Sequence, residues 1–453
     1  MENRPIQSPN KQARNEILFL LLVLALGFVF FARNAHLQLA SDDMGWLRGE
    51  APTVFDQYRI IPRFFFVSLY ALFGPSPIAA LTMIFLFHVA NTVMVYHLCH
   101  KLLNSQIAAR VAACVFMINP ITLSTLTWIS CFSYVQGASL ALMSLLAFWK
   151  SSETERPLTW SIIAVFGYGA GLLCSHELLF LPVLFLLWGW LWGGSSLKRG
   201  ATLFGVAMAM GTLVNFFLYD FGRYGVKTTG LFTPGFVSAF ASSALSFGLS
   251  LGLAYPLSFF AKTMDLLQFC FTEPLRWGMT LVLLGGGILL FKSNRTWRLR
   301  LVLAFSFIAF ITPYIIRLYL TPDSVNYDIS YVLSGRVFYL PFTILALAWG
   351  GLVASVYERP VMKESKLAGF LPVLSAAAYA YALFALYTAA DFMGLDVLHG
   401  SSQILPPPWN PYAGNHPAWF IGSALVVMAV ATLRWFGPKA RAFLPEHSDS
   451  ART

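Results

Sequence analysis

Apolar residues run through this chain in long continuous stretches, not in the every-other-residue alternation of a half-exposed strand. Most of the stretches are about 16 to 24 residues long, the length a helix needs to cross hydrocarbon. They predict spans at 17–33, 77–99, 106–119, 133–149, 158–174, 178–193, 201–219, 278–291, 301–317, 337–356, 367–388 and 417–435. In lipid the backbone must satisfy its own hydrogen bonds, and the ten-residue alternating segments of a barrel are absent, so the spans are expected to be helices. The predicted fold is an all-α polytopic bundle of about twelve transmembrane helices (roughly 11 to 13), with amphipathic helices in its outer loops.

One further apolar stretch, 236–260, is rich in Ser, Gly and Ala. As a single crossing it would put the basic KSNRTWRLR (292–300) outside and the acidic YLTPDSVNYDIS (319–330) inside, against the positive-inside bias. A re-entrant, interfacial or paired arrangement places both loops correctly and is the expected one. With the N-terminus inside, 20 of the 30 Lys and Arg fall in cytoplasmic segments, but only 8 of the 20 Asp and Glu. The large outer segments are then 34–76, 220–277, 318–336 and 389–416. Residues 1–435 are read as one transmembrane domain and 436–453 as a cytoplasmic tail.

Composition agrees: at 57% hydrophobic and 11% charged, the chain carries more apolar surface than a soluble core absorbs. The net charge of +10 is spread in short clusters between spans, which is topology and not nucleic-acid binding. The N-terminal stretch has Phe30 and Phe31 where a signal peptide would need small residues, so it is read as a retained span. The five cysteines lie in or beside apolar runs without a CxxC pair and are expected to be buried apolar residues.

Chemistry is therefore expected on the outer face. Asp42 and Asp43, in HLQLASDDMGW, follow the first span closely. Helix capping accounts for one aspartate, while a carboxylate at a low-dielectric boundary is also a natural general base. Tyr58, Arg59 and Arg63 follow in DQYRIIPRFFFVSLYALFG. The arginines are either snorkelling anchors or phosphate ligands, since guanidinium matches phosphate geometry and keeps its charge. His176 and Glu177 sit between two spans in LLCSHELLFLP, where an ionisable pair is costly unless used or paired, and Arg336 precedes a span in SGRVFYLP. There is no GxxxxGK[ST] loop, HExxH helix, GxSxG elbow or soluble nucleotide-binding module, so a group donor is expected from the lipid phase.

Taken in order, these stretches resemble the GT-C superfamily of membrane glycosyltransferases, in its protein O-mannosyltransferase-like part. The acidic pair after the first span is Asp42-Asp43, and the Tyr-Arg-Pro-like stretch leading to LFG-P is YRIIPRFFFVSLYALFGPSP. The H-x-x-N helix is matched by FLFHVANTVMVYHLCHKLL, with His88 and Asn91. A Pro, Trp-Ile-Ser and small-residue helix is matched by MINPITLSTLTWISCFSYVQGASLALMSLLAF. The Ser-Lys-Glu motif is matched by SHELLFLP, with His176 in place of the common lysine, and Arg-x-x-Tyr-Leu-Pro by RVFYLP.

The resemblance implies a GT-C-like bundle and an inverting transfer from a polyprenyl-phosphate sugar to a lipid-linked, glycan or protein acceptor. Asp42 or Asp43 would act as base, while Arg59, Arg63, His176 and Arg336 would bind the donor phosphate. Glu177, His88, Asn91 and Tyr58 would contact the acceptor or support the site. Two acids and a lipid phosphate suffice to hold one divalent cation, Mg or Mn, with Asp43 as a ligand. The expected partners are the donor, the acceptor and membrane lipids, with no nucleic acid, and the expected location is a bacterial inner membrane with a periplasmic active site. A flippase or other transporter and an oligosaccharide polymerase are the alternatives. Transporters tend to carry intramembrane charges and internal repeats, neither of which is evident here.

Overall fold

A computed structural model describes residues 59–117, 129–192, 195–218 and 339–357, with scattered residues in 14–28, 125–126 and 302–308. All but Ser355 to Tyr357 belong to one compact unit, Met1–Ala354. Among the described residues the chain is helical, without strands. We number the helices α1 (Ile60–Phe73), α2 (Pro77–Leu103), α3 (Gln106–Met117), α4 (Phe132–Glu153), α5 (Pro157–Leu172), α6 (Leu181–Trp192), α7 (Ser195–Leu218) and α8 (Tyr339–Tyr357). Short 3-10 turns, Ile129–Cys131 and His176–Phe180, lead into α4 and α6.

Local chemistry sets the helix ends. α1 stops at Gly74, whose positive φ of 64° suits a residue without Cβ, and the Gly74 N–H closes on Tyr70 O. Ser76 then caps α2, its hydroxyl accepting from the Ala79 N–H at 3.3 Å, with Pro77 at the first helical position. Asn104 ends α2 in the left-handed region at φ 51°, and the Ser105 hydroxyl accepts from Ala108 N–H at the start of α3. Pro157 opens α5.

α2 and the stretch Ile129–Glu153 are each long and apolar enough to cross a membrane, and α1, α3, α5, α6 and α8 are shorter apolar helices. α2 to α8 overlie seven of the predicted spans. α2 runs to Leu103, past the predicted end at residue 99, with His100 and Lys101 in its last turn where cations suit the helix dipole. The predicted spans 278–291, 367–388 and 417–435 and the stretch 236–260 lie outside the described residues. α1 falls within the predicted outer segment 34–76 and is largely apolar, with Arg63 and Ser68 as its polar residues. Pro62 and Phe66 turn inward, while Phe64, Leu72 and Phe73 are exposed. Exposed apolar rows on α1 and α5 (Leu158, Ile162, Phe166) suit a lipid environment and would be a liability in water.

α4 is the central helix, buried along most of its length. It packs most extensively on α5, where Gly167 stands so close to Leu140 O and Ser144 that an added Cβ would press on both. The Ser144 hydroxyl donates to Ala164 O across the same contact. Small residues allow such close helix approach in a membrane, where apolar burial gives no net drive. α2 pairs with α3, and α7 with α6. At one end of the bundle Lys101 meets Glu153 at 3.8 Å, and Arg199 donates to Ser151 O. At that end too, Glu16 of a helical segment, Glu16–Ala25, accepts from Tyr96, Gln106 and Arg110. Cys99, Cys131 and Cys174 are buried, as expected of small apolar residues, and Cys114 is half-buried.

Candidate active site

At the other end, Arg59 stands just before α1 with a non-helical backbone. Its Nη1 donates to Ser130 O at 2.8 Å, and its guanidinium lies 5.5 Å from the ring centroid of Tyr134 on α4. The helix start behind it is fixed by aromatic packing. Phe65 and Phe66 of α1 and Phe87 of α2 meet Phe132 of α4 edge-on, at centroid distances of 6.0, 5.5 and 5.1 Å. Arg63 lies one turn further along α1, its N–H bonded to Arg59 O at 3.0 Å, and is half-buried.

His88 and Asn91 lie three residues apart on α2, both fully buried. His88 Nε2 is 3.2 Å from Met117 O, which can only accept, so Nε2 carries the hydrogen and Nδ1 accepts the Tyr339 hydroxyl at 2.6 Å. Asn91 Nδ2 spends its two hydrogens on Val135 O at 3.0 Å and on the Tyr339 oxygen at 3.2 Å. α2, the end of α3, the start of α4 and the start of α8 are thus tied by one small network. The Asn91 Oδ1 is buried and meets no hydrogen-bond partner among the described residues. This geometry ties His88 and Asn91 to the start of α4 and to Tyr339.

Tyr339→Phe removes the central hydroxyl and leaves His88 Nδ1 and one Asn91 N–H unsatisfied. The expected loss is on the order of 1 kcal/mol, since hydrogen bonds between membrane helices are modest. It should appear as a lower thermal midpoint in detergent with helical content retained. An unchanged midpoint would mean that the network adds nothing to stability.

The turn carrying His176 and Glu177 is braced from behind. Cys174 and Ser175 N–H both bond Gly171 O at 2.9 Å, and Leu178 N–H bonds Ser175 O at 3.4 Å. Cys174 Sγ donates to Gln136 Oε1 of α4 at 3.6 Å, and Gly137 sits against Leu178 and Ser175. His176 and Glu177 therefore leave α5 beside the beginning of α4.

Asp42, Asp43, Tyr58 and Arg336 lie outside the described residues. Among the described residues no cluster of His, Cys, Asp or Glu side chains could hold a metal ion; Asp43, the expected ligand, lies outside them. Sequence reasoning passed over Ser130, Tyr134, Gln136 and Tyr339. A signal for α4 was present: Ser130, Ser133, Gln136 and Ser139 recur every three residues in an otherwise apolar run and are all buried.

No protein-family profile matches the chain, and no curated protein matches it. Among solved structures, the chain is similar to the crystal structure of the Archaeoglobus fulgidus oligosaccharyltransferase in the apo form. The identity is 12% and the TM-score 0.42, over 91% of this chain and 64% of that one. The chain thus spans less than two thirds of that protein's length.

Proposed function

We propose that this protein is an integral-membrane glycosyltransferase of the GT-C kind, moving a sugar with inversion from a polyprenyl-phosphate donor to an acceptor at the outer face. One observation carries the reading: motifs scattered through the sequence that together resemble the superfamily meet around the start of α4. Arg59 of YRIIPR bonds Ser130 of WISCFSYVQG, Asn91 of the H-x-x-N helix bonds Val135, and both His88 and Asn91 bond Tyr339 of RVFYLP. Cys174, just before the SHELLFLP residues His176 and Glu177, bonds Gln136 two residues after Tyr134. Unrelated helices would have no reason to bring these stretches together.

On this reading Asp42 or Asp43 accepts the proton of the acceptor hydroxyl as it attacks the anomeric carbon. The bond to the donor phosphate breaks on the opposite face, and the departing charge is met by Arg59, Arg63, His176 and Arg336. Inversion takes a single displacement, so no covalent nucleophile is needed. A cation held by Asp43 and the phosphate would supply further charge stabilisation. The bundle end with Lys101, Lys150, Arg156, Lys198 and Arg199 is cytoplasmic by the positive-inside bias, which puts the Arg59 end outside.

Mass analysis of lipids and surface glycans with and without the protein tests the reading. A transferase leaves an acceptor one sugar short when it is removed. Accumulation of a complete lipid-linked unit instead would assign the protein to the flippases or polymerases.

A further inference from the structure

We infer that Tyr134 is a positioning residue for Arg59, its ring and the neighbouring Ser130 carbonyl fixing where the guanidinium meets the donor phosphate. The inference rests on the assignment of Arg59 to phosphate binding under the proposed function. An arginine at a membrane surface ordinarily extends its stem toward the headgroups and samples many rotamers. Arg59 instead turns back onto a helix that begins 73 residues later in the chain, at Phe132, to bond Ser130 O at 2.8 Å and to lie over Tyr134. Both of these partners are uncharged groups. The ring contact, 5.5 Å from the guanidinium carbon to the centroid, takes up no N–H donor, so it spends none of the donors that phosphate recognition uses.

The platform is rigid for reasons visible in the same turn. Phe132 is locked by Phe65, Phe66 and Phe87. Val135 O is held by Asn91, which is bonded to Tyr339. Tyr134 lies between these two anchors and is itself only 9% exposed. Positioning by a fixed ring removes rotamer entropy that a flexible arginine would lose on meeting its ligand.

The test uses the full chain in detergent, with farnesyl phosphate as probe and farnesol as the same tail without phosphate. Tyr134→Leu is expected to weaken farnesyl phosphate binding roughly tenfold, and Tyr134→Phe, which keeps the ring, to stay within about twofold. In an Arg59→Gln background, Tyr134→Leu should change binding less than about twofold, because the residue it positions is gone. Tyr134→Met replaces the leucine variant if that one does not fold. Wild-type affinity in folded Tyr134→Leu, or an equal loss with and without Arg59, overturns the inference while the phosphate assignment stands. Equal binding of farnesyl phosphate and farnesol by the wild type overturns the phosphate assignment and this inference together.

Discussion

Replacing Asp42 or Asp43 by asparagine is expected to remove sugar transfer while leaving insertion and yield unchanged. Asparagine keeps the shape and hydrogen-bonding size of the side chain but cannot accept a proton from the acceptor hydroxyl. General-base catalysis is worth about 10²- to 10⁴-fold, so the variant lacking the base should fall by that order. The other member of the pair should fall less if it only orients its neighbour or caps a helix, a role worth about 1 kcal/mol. Transfer is measured in membranes as the mass increment on the acceptor. Full activity in both single variants would dispose of the general-base proposal. EDTA separates the two roles open to Asp43: a base survives chelation, whereas a cation ligand does not.

Arg59→Gln is the second large effect expected. Removing one preorganised cation from a developing charge typically costs about 10²- to 10³-fold in rate. Here the substitution also removes the bond to Ser130 O and the contact with Tyr134. Arg59→Lys should recover only part of the loss, because an ammonium has neither the planar, delocalised charge of guanidinium nor the fork that meets two phosphate oxygens. The rate is followed at saturating and limiting donor, so that binding and turnover are read separately. Wild-type rates in Arg59→Gln would return Arg59 to the ordinary role of an interface anchor.

Much of the helical framework was legible because helix formation is local. Continuous apolar runs mark α2 to α8, and the Gly-Pro-Ser-Pro of residues 74–77 marks both the end of α1 and the start of α2. Partner choice was not legible. His88 meets Tyr339 across 251 residues, and Arg59 meets Ser130 across 71, with no local pattern linking either pair. Between helices in lipid there is little hydrophobic discrimination, so small residues and a few polar bonds select the neighbours. Arg336 drew notice because charge near lipid is conspicuous, whereas Tyr339, three residues on, read as one more aromatic at an interface. Where the stretches of the motif resemblance are described, the packing adds that they meet at the first turns of α4.

The Glu16 clasp has a consequence for how the protein is made. The three side chains that donate to this carboxylate, Tyr96, Gln106 and Arg110, come 80 to 94 residues later in the chain. When the helix carrying Glu16 leaves the ribosome, these donors have not yet been made. That helix can dock only after α2 and the beginning of α3 have been synthesised and inserted. Assembly of this corner is ordered by synthesis, and in nascent chains ending before Gln106 the segment Glu16–Ala25 should still be loosely held.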